Sequence, residues 1–344
     1  MDKATILKWL QEEDESCLEE LWKTSDRVRR EQVGDEVHLR GLVQFSNKCL
    51  RKCLYCGLRE PNKALLRYRM TEPEIMFCAE KAWREGLGTV VLQSGESDIT
   101  HAERIGGTIQ KIKKRFPVAV TLSLGEQTTD IYKLWKNCGA DRYLLRFETS
   151  DRNLFHKIHP PLYPAQPDRI EILGQLRGLG YEIGGGIMVG LPGQSLSSIA
   201  DDIMKFAEMD LDMIGIGPYI PHPDTPLGKN FLATDSTLSE RVINDERFVL
   251  KVIALSRIVC PQANIPATTA LATTQKNGYK NGLQVGANVI MPDFTPNSYR
   301  RYYEIYPSSL RAAEADDIRD IQTILKDLGR IHGKGPGNRA GRSL

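Results

Sequence analysis

The residues best equipped for chemistry are three thiols in one short stretch, Phe45-Ser-Asn-Lys-Cys49-Leu-Arg-Lys-Cys53-Leu-Tyr55-Cys56-Gly57, spaced C-x₃-C-x₂-C directly after an apolar, strand-like run. Three thiolates on one tight loop can hold three irons of a cubane [4Fe–4S] cluster and leave the fourth without a protein ligand, open to a reacting molecule. Part of the pattern has other readings, because Cys53-Leu-Tyr-Cys56 alone is the C-x₂-C of a redox pair or of half a zinc site. A structural zinc needs a fourth Cys or His close by. The nearest upstream candidate, His38, stands near the far end of the strand that feeds the loop, at about 3.3 Å per residue. Downstream, nothing suitable follows until Cys78, which falls in a helical pattern.

The elements that must position this loop follow a repeated form of β-rich stretch, polar loop and helical stretch. The β-rich stretches are 37–45, 89–93, 118–124, 142–148, 182–190, 213–219, 264–270 and 287–291. Helical patterns separate them, among them 72–85, 102–114, 166–179, 195–209 and 238–258. Eight strands alternating with helices predict a closed (β/α)₈ barrel, an α/β fold, rather than an open doubly wound sheet. The domain plan expected is an N-terminal helical extension over 1–35, made of two amphipathic helices, and a barrel over 36–294. A C-terminal segment over 295–344 completes it, with a helix near 313–328 and a flexible tail over 333–344 that has almost no apolar content.

The chain has 344 residues, enough for a substantial core without disulfides. Its 46 Lys and Arg against 44 Asp and Glu leave a net charge of only +2, which gives no electrostatic footprint for nucleic acid and no polybasic membrane anchor. Seven cysteines, four of them scattered outside the loop at Cys17, Cys78, Cys138 and Cys260, suit a reducing compartment and not a disulfide framework. The charged N-terminus is no signal peptide and no 18-residue apolar stretch exists, so a soluble cytoplasmic protein is expected.

In such a barrel the site lies at the C-terminal ends of the strands, where the cysteine loop would sit. Strand two ends Leu92-Gln93-Ser94-Gly95-Glu96 and strand three Thr121-Leu-Ser123-Leu-Gly125-Glu126. Alternation along Leu144-Leu-Arg146-Phe-Glu148-Thr149 puts Arg146 and Glu148 on one face, and opposite charges inside a barrel are costly unless paired or used. Gly184-Gly185-Gly186 on strand five, with Gly215 and Gly217 at the parity of Met213 on strand six, would remove side chains and leave a cavity, although a bend or bulge also explains one of the first three. Thr268 and Thr269 add hydroxyls to strand seven, and Asn288 and Met291 belong to strand eight.

The loop, with its aromatic Tyr55 before the last Cys, resembles the radical S-adenosylmethionine (SAM) enzymes. Further segments narrow the likeness, notably Val189-Gly-Leu-Pro-Gly-Gln194, Ile214-Gly-Ile-Gly-Pro-Tyr-Ile-Pro-His-Pro-Asp-Thr-Pro226, Asn264-Ile-Pro-Ala-Thr-Thr-Ala270 and Gly286-Ala-Asn-Val-Ile-Met-Pro292, which look like the HydE family of [FeFe]-hydrogenase maturases. The resemblance implies a monomeric barrel whose reduced cluster donates one electron to SAM and yields a 5′-deoxyadenosyl radical. That radical would act on a cysteine-bearing iron carbonyl–cyanide precursor from HydG, on the path to HydF. It makes Cys49, Cys53 and Cys56 the cluster ligands and catalytic centre, and sets Tyr55 beside the adenine and Gln93 and Ser94 near the methionine moiety. Glu148 and Arg169 would bind SAM polar groups, and Met213 would lie against the adenosyl region. Arg146, Thr121, Ser123, Thr268 and Thr269 become substrate-side positions. Without the resemblance, Tyr55 is packing, Gln93 a loop polar, Arg169 a surface charge and Met213 core filling.

His222, His156 and His159 read as structural. Some members of the family carry a second cysteine group near the C-terminus; here no Cys follows Cys260, so a single cluster is expected. The rivals are a mutase on the same barrel, such as a methylornithine synthase, and a non-catalytic zinc or scaffold protein.

Overall fold

A computed structural model describes residues 1–97, 101–164, 166–233, 245–274, 277–307 and 317–341. Its strands are β1 (Glu36–Ser46), β2 (Thr89–Ser94), β3 (Ala119–Ser123), β4 (Arg142–Leu144), β5 (Glu182–Val189), β6 (Met213–Pro218), β7 (Val289–Ile290) and β8 (Ile331–His332). The helices in chain order are α1 (Lys3–Gln11), α2 (Glu15–Val33), α3 (Glu72–Arg84), α4 (Ala102–Arg115), α5 (Thr129–Asn137), α6 (Arg152–Ile158) and α7 (Arg169–Gly178). They continue with α8 (Leu196–Glu208), α9 (Pro226–Ala233), α10 (Glu246–Val259), α11 (Thr269–Thr274), α12 (Gly278–Gln284), α13 (Asn297–Arg300) and α14 (Ile318–Asp327). The helical stretches expected at 238–244 and 313–316 lie outside the described residues.

All strand pairs are parallel, in the order β6-β5-β4-β3-β2-β1-β7, with β8 added beside the start of β1. The curved sheet is drawn together by two bridges, Met213 to Asn264 and Pro266 to Val289. The expected seventh strand is reduced to these bridges because Pro266 has no N–H to give a ladder. The expected fourth strand stops at Leu144 and resumes as a single bridge from Glu148 to Ile187. At that point the backbone of Glu148 is left-handed, with φ +64°, which breaks the regular alternation.

Helix starts follow local chemistry. Asp14 accepts from the Ser16 and Cys17 amides, Asp168 from Glu171 and Asp245 from Phe248, each relieving unpaired N–H groups of a first turn. Ser195 and Ser198 reciprocate at the start of α8. The strands bury Val43, Val90, Leu92, Val120, Leu122, Ile183 and Ile214 in one continuous core with the inner faces of the helices. Helices α1 and α2 pack on α8 and α10, where the buried Lys251 donates to the Glu13 carboxylate at 2.8 Å.

The tail differs from expectation. Residues 333–339 are not loose but close the N-terminal end of the barrel. The Pro336 carbonyl accepts from Thr89 Oγ1 at 2.8 Å and Arg142 Nη2 at 3.0 Å. The Gly337 carbonyl accepts from Arg40 Nη2 at 3.0 Å and Asn264 Nδ2 at 3.2 Å. Asn338 also bonds Arg142, and the Arg339 amide donates to Glu182 at 2.9 Å. A tail with almost no apolar residues binds here through its backbone carbonyls, which complete the bonding of guanidinium groups buried in the barrel floor.

Candidate active site

The loop after β1 folds back over the ends of β1 and β2. The Leu50 amide donates to the Glu96 carbonyl at 2.8 Å and the Gly95 amide to the Ser46 carbonyl at 3.0 Å. A Cβ on Gly95 would stand 2.4 Å from the Lys48 carbonyl oxygen and 2.8 Å from the Cys49 Cβ, so only glycine lets the cysteine loop sit this close. Cys49, Cys53 and Cys56 line one chamber at the C-terminal end of the sheet, and with them Tyr55, Gln93, Ser94, Ser123, Arg146, Glu148 and Arg169. Burial raises all three thiols, Cys53 most strongly and Cys56 to about 12; neighbouring sulfurs add to the effect at Cys53 and Cys56, and the Glu96 charge does so at Cys49. Loading a metal centre here therefore displaces protons from the sulfurs.

Among the described residues no three His, Cys, Asp or Glu side chains converge on a point that one metal ion would occupy. The three sulfurs face a common chamber, and three thiols on one loop supply the donor set of a cluster in which each sulfur takes its own iron.

Behind the cysteines lies a buried charged network that the sequence reading missed. The Cys53 sulfur is 3.0 Å from His159 Nδ1, and His159 Nε2 is 2.8 Å from Glu126 Oε1. Arg169 Nε donates to the same oxygen at 2.8 Å, while Arg51 lies 2.6 Å from Glu126 Oε2 and 2.7 Å from Glu96 Oε1. Burial pushes Glu126 upward, but the His159 hydrogen bond and the Arg169 and Arg51 charges outweigh it and hold its carboxyl far below the usual range. Burial and the Arg169 charge lower His159 to about 4 against the pull of Glu126, so its ring is neutral near pH 7. Glu96 moves the other way, raised by burial more than Arg51 lowers it. His159, read as structural, is thus a member of this network. A trace of the network was visible in the sequence, since Ser94-Gly95-Glu96 and Leu124-Gly125-Glu126 put a glutamate at the same place after neighbouring strands.

Glu148 faces the chamber between two guanidiniums, with Oε2 at 3.0 Å from Arg146 Nη2 and Oε1 at 3.8 Å from Arg169 Nη1. The inward pairing expected for Arg146 and Glu148 is present, although it arises from the left-handed turn at Glu148 and not from strand alternation. Arg146 is further fixed by the Ile187 carbonyl at 2.7 Å.

A second, deeper cavity of about 160 Å³ continues into the barrel. Thr121, Thr268, Thr269, Met213 and Gly215 line it, together with Arg40 at its floor, and Gln93 and Arg146 belong to both chambers. Met213, expected beside the adenosyl group, lines the deep cavity and its sulfur takes a contact from Arg40 Nη1 at 2.8 Å. Ser123, expected on the substrate side, faces the upper chamber, because it stands one pleat higher on β3 than Thr121. The Thr121 hydroxyl is buried and has no protein partner.

The glycines divide in the same way. Gly215 lines the deep cavity, and a Cβ there would meet nothing nearer than 3.7 Å. Gly184, Gly185 and Gly186 are instead demanded by close packing. Added Cβ atoms would stand 2.7 Å from Leu144, 2.8 Å from Leu211 and 2.0 Å from the Gly215 carbonyl oxygen, respectively. His222 is buried, its Nδ1 accepting from the Asp224 amide at 3.1 Å, and His156 is exposed.

Comparison with known proteins bears on this geometry. Residues 43–221 match the model of the Radical SAM superfamily. The chain is 46% identical over 328 residues to the [FeFe] hydrogenase maturase subunit HydE of Thermotoga maritima, covering 95% of this chain and 90% of that protein. It is 26% identical to the 3-methylornithine synthase of Methanosarcina acetivorans, covering 92% and 85%. Among solved structures, methylornithine synthase (PylB) superposes with a TM-score of 0.77 at 23% identity over 96% of this chain and 94% of that one. The maturase HydG does so with 0.79 at 19% identity over 97% and 73%. Both structural likenesses speak to the fold. Among the described residues, no helix is long and apolar enough to cross a membrane.

Proposed function

Since the chain belongs to the radical SAM superfamily and, within it, to the HydE family of [FeFe]-hydrogenase maturases, we propose that the upper chamber holds the [4Fe–4S] cluster and SAM and the deep cavity holds the substrate. The cluster, when bound and reduced, supplies one electron that splits the sulfonium of SAM into methionine and a 5′-deoxyadenosyl radical. Cys49, Cys53 and Cys56 would carry it, and the remaining residues bind and orient. Glu148 meets the SAM amine, Arg169 its carboxylate, and Tyr55 the adenine, with Gln93 and Ser94 closing the methionine side. Arg146, Thr121, Thr268 and Thr269 hold the polar end of the substrate, the free Thr121 hydroxyl waiting for a partner. The substrate in this reading is the cysteine-bearing iron carbonyl–cyanide complex made by HydG, and the product passes toward HydF, with the protein acting as a monomer.

The carrying observation is the shared wall. Gln93 and Arg146 line both chambers, so a radical made in one is released against a ligand in the other. The test is anaerobic incubation of the reduced, iron-loaded protein with SAM and the HydG product, following 5′-deoxyadenosine and loss of the iron complex. Cys53→Ala should abolish both while leaving the fold intact. Turnover that ignored the iron complex and isomerised lysine would replace this reading by the mutase reaction.

A further inference from the structure

Glu148 presents its carboxylate to the upper chamber from a backbone with φ +64°, a conformation that a residue bearing a Cβ keeps only where its surroundings over-determine it. On one side β5 supplies the constraint. The Glu148 amide donates to the Gly186 carbonyl at 3.0 Å, and the Glu148 carbonyl accepts from the Met188 amide at 3.1 Å. On the other side the constraint comes from α8. Asp202 Oδ1 accepts from the Ser150 amide, from the Ser150 hydroxyl at 2.6 Å and from the Thr149 hydroxyl at 3.4 Å. Four residues along the same face of that helix, the Phe206 ring packs on Phe147, with centroids 5.8 Å apart. One helix therefore holds the residues just before and just after Glu148.

Asp202 is a costly residue for a mere tie between a loop and a helix. It is fully buried, and its Oδ2 has no partner. An apolar residue at this place on α8 would carry a smaller desolvation penalty. What the acid supplies in exchange is one oxygen that takes donors from two consecutive residues of the turn.

Resting on the reading that Glu148 meets the SAM amine, we infer that Asp202 is a positioning residue for SAM, holding Glu148 in its left-handed turn through Thr149 and Ser150. It touches neither SAM nor the deep cavity, so it acts on how tightly SAM binds and not on what the bound complex then does. Losing such an interaction raises KM and leaves kcat in place.

Equilibrium dialysis of SAM against the oxidised, iron-loaded protein gives Kd, and 5′-deoxyadenosine formation by the reduced protein gives kcat. Asp202→Ala should raise Kd by about tenfold and leave kcat at saturating SAM within about twofold. Asp202→Asn keeps the accepting oxygen and should restore Kd to the wild-type value. Ile199→Ala, a buried apolar truncation on the same helix, controls for lost stability alone and should leave Kd unchanged. In iron-free protein, hydrogen exchange at the Glu148 and Met188 amides should quicken in the alanine variant and not in the asparagine one. If Asp202→Ala does not fold, Ser150→Ala removes one donor of the turn and should raise Kd by about threefold. In a Glu148→Gln background, Asp202→Ala should add little further loss.

Unchanged Kd in Asp202→Ala, a loss matched by Ile199→Ala, or losses that add fully in the Glu148→Gln background would overturn the positioning role while leaving Glu148 on SAM. Glu148→Gln that itself binds SAM like the wild type would instead refute the Glu148 assignment, and the role of Asp202 with it.

Discussion

Removing residues 334–344 tests whether the tail is a structural part of the barrel. The deletion takes away the acceptors of Arg40, Arg142, Thr89 and Asn264 and the amide that caps Glu182. Four of these bonds end on buried charged groups, at about 2 kcal/mol each, and two on neutral groups at about 1 kcal/mol each, for about 10 kcal/mol gross. Water entering the opened floor replaces roughly half of that, leaving a loss of about 5 kcal/mol. Against a native stability of about 5–15 kcal/mol this is a large fraction, and it should lower the melting temperature by on the order of 10 °C. Differential scanning calorimetry of the full-length and shortened chains measures it directly. Arg142 is fully buried and would keep only Glu182 and Thr89 as partners. In an Arg142→Met background the same deletion should therefore cost clearly less, because of the two guanidiniums that bond the tail only Arg40 is left to be stranded. A shortened protein that melts with the full-length chain, or a cost indifferent to Arg142, would refute the floor argument.

Arg51→Met leaves the buried Glu96 without its counter-charge, while Glu126 keeps Arg169, and should cost about 3–5 kcal/mol in denaturant unfolding, whereas an exposed lysine such as Lys52 should cost almost nothing. Thr121→Val removes a buried hydroxyl without a partner; stability should be unchanged or rise by up to about 1 kcal/mol, while substrate binding, read by KM, weakens. His38 is lowered to about 4 by burial first and by the Arg40 and Arg142 charges next. Its folded value lies below the unfolded one, so its contribution is complete above about pH 6.5 and is lost as the pH falls toward 4. His38→Gln should flatten that limb of a plot of melting temperature against pH, and an unaltered limb would discount His38 as its source.

The cysteine loop and the polar strand ends were legible because their signals are local: spacing of ligands, alternation, and the placement of loops after strands. The network from Cys53 through His159 and Glu126 to Arg169 was not, since its directly bonded members are separated by up to 106 positions and each alone reads as an ordinary polar residue. Arg169 came from family resemblance, while His159, Glu126, Arg51 and Glu96 had no such support. The seventh strand was overcalled because apolar residues around Pro266 resemble a strand, although its backbone cannot ladder. The tail was misjudged for a related reason. Side-chain patterns govern burial estimates, but Pro336 and Gly337 are held through carbonyl groups that every sequence possesses. Which chamber Met213 and Ser123 line was not legible either, because strand alternation tells which face a residue takes, not how far up the barrel it stands.

Arg146 serves two neighbours at once, the Glu148 carboxylate in one chamber and whatever anionic group enters the other. A ligand that draws this guanidinium downward leaves Glu148 more available to a cation above, and a cation above frees the guanidinium in return. The two affinities are then linked by one coupling factor, identical whichever ligand binds first. If the proposed assignment of the two chambers holds, the ternary state would be favoured over either binary one through this single side chain.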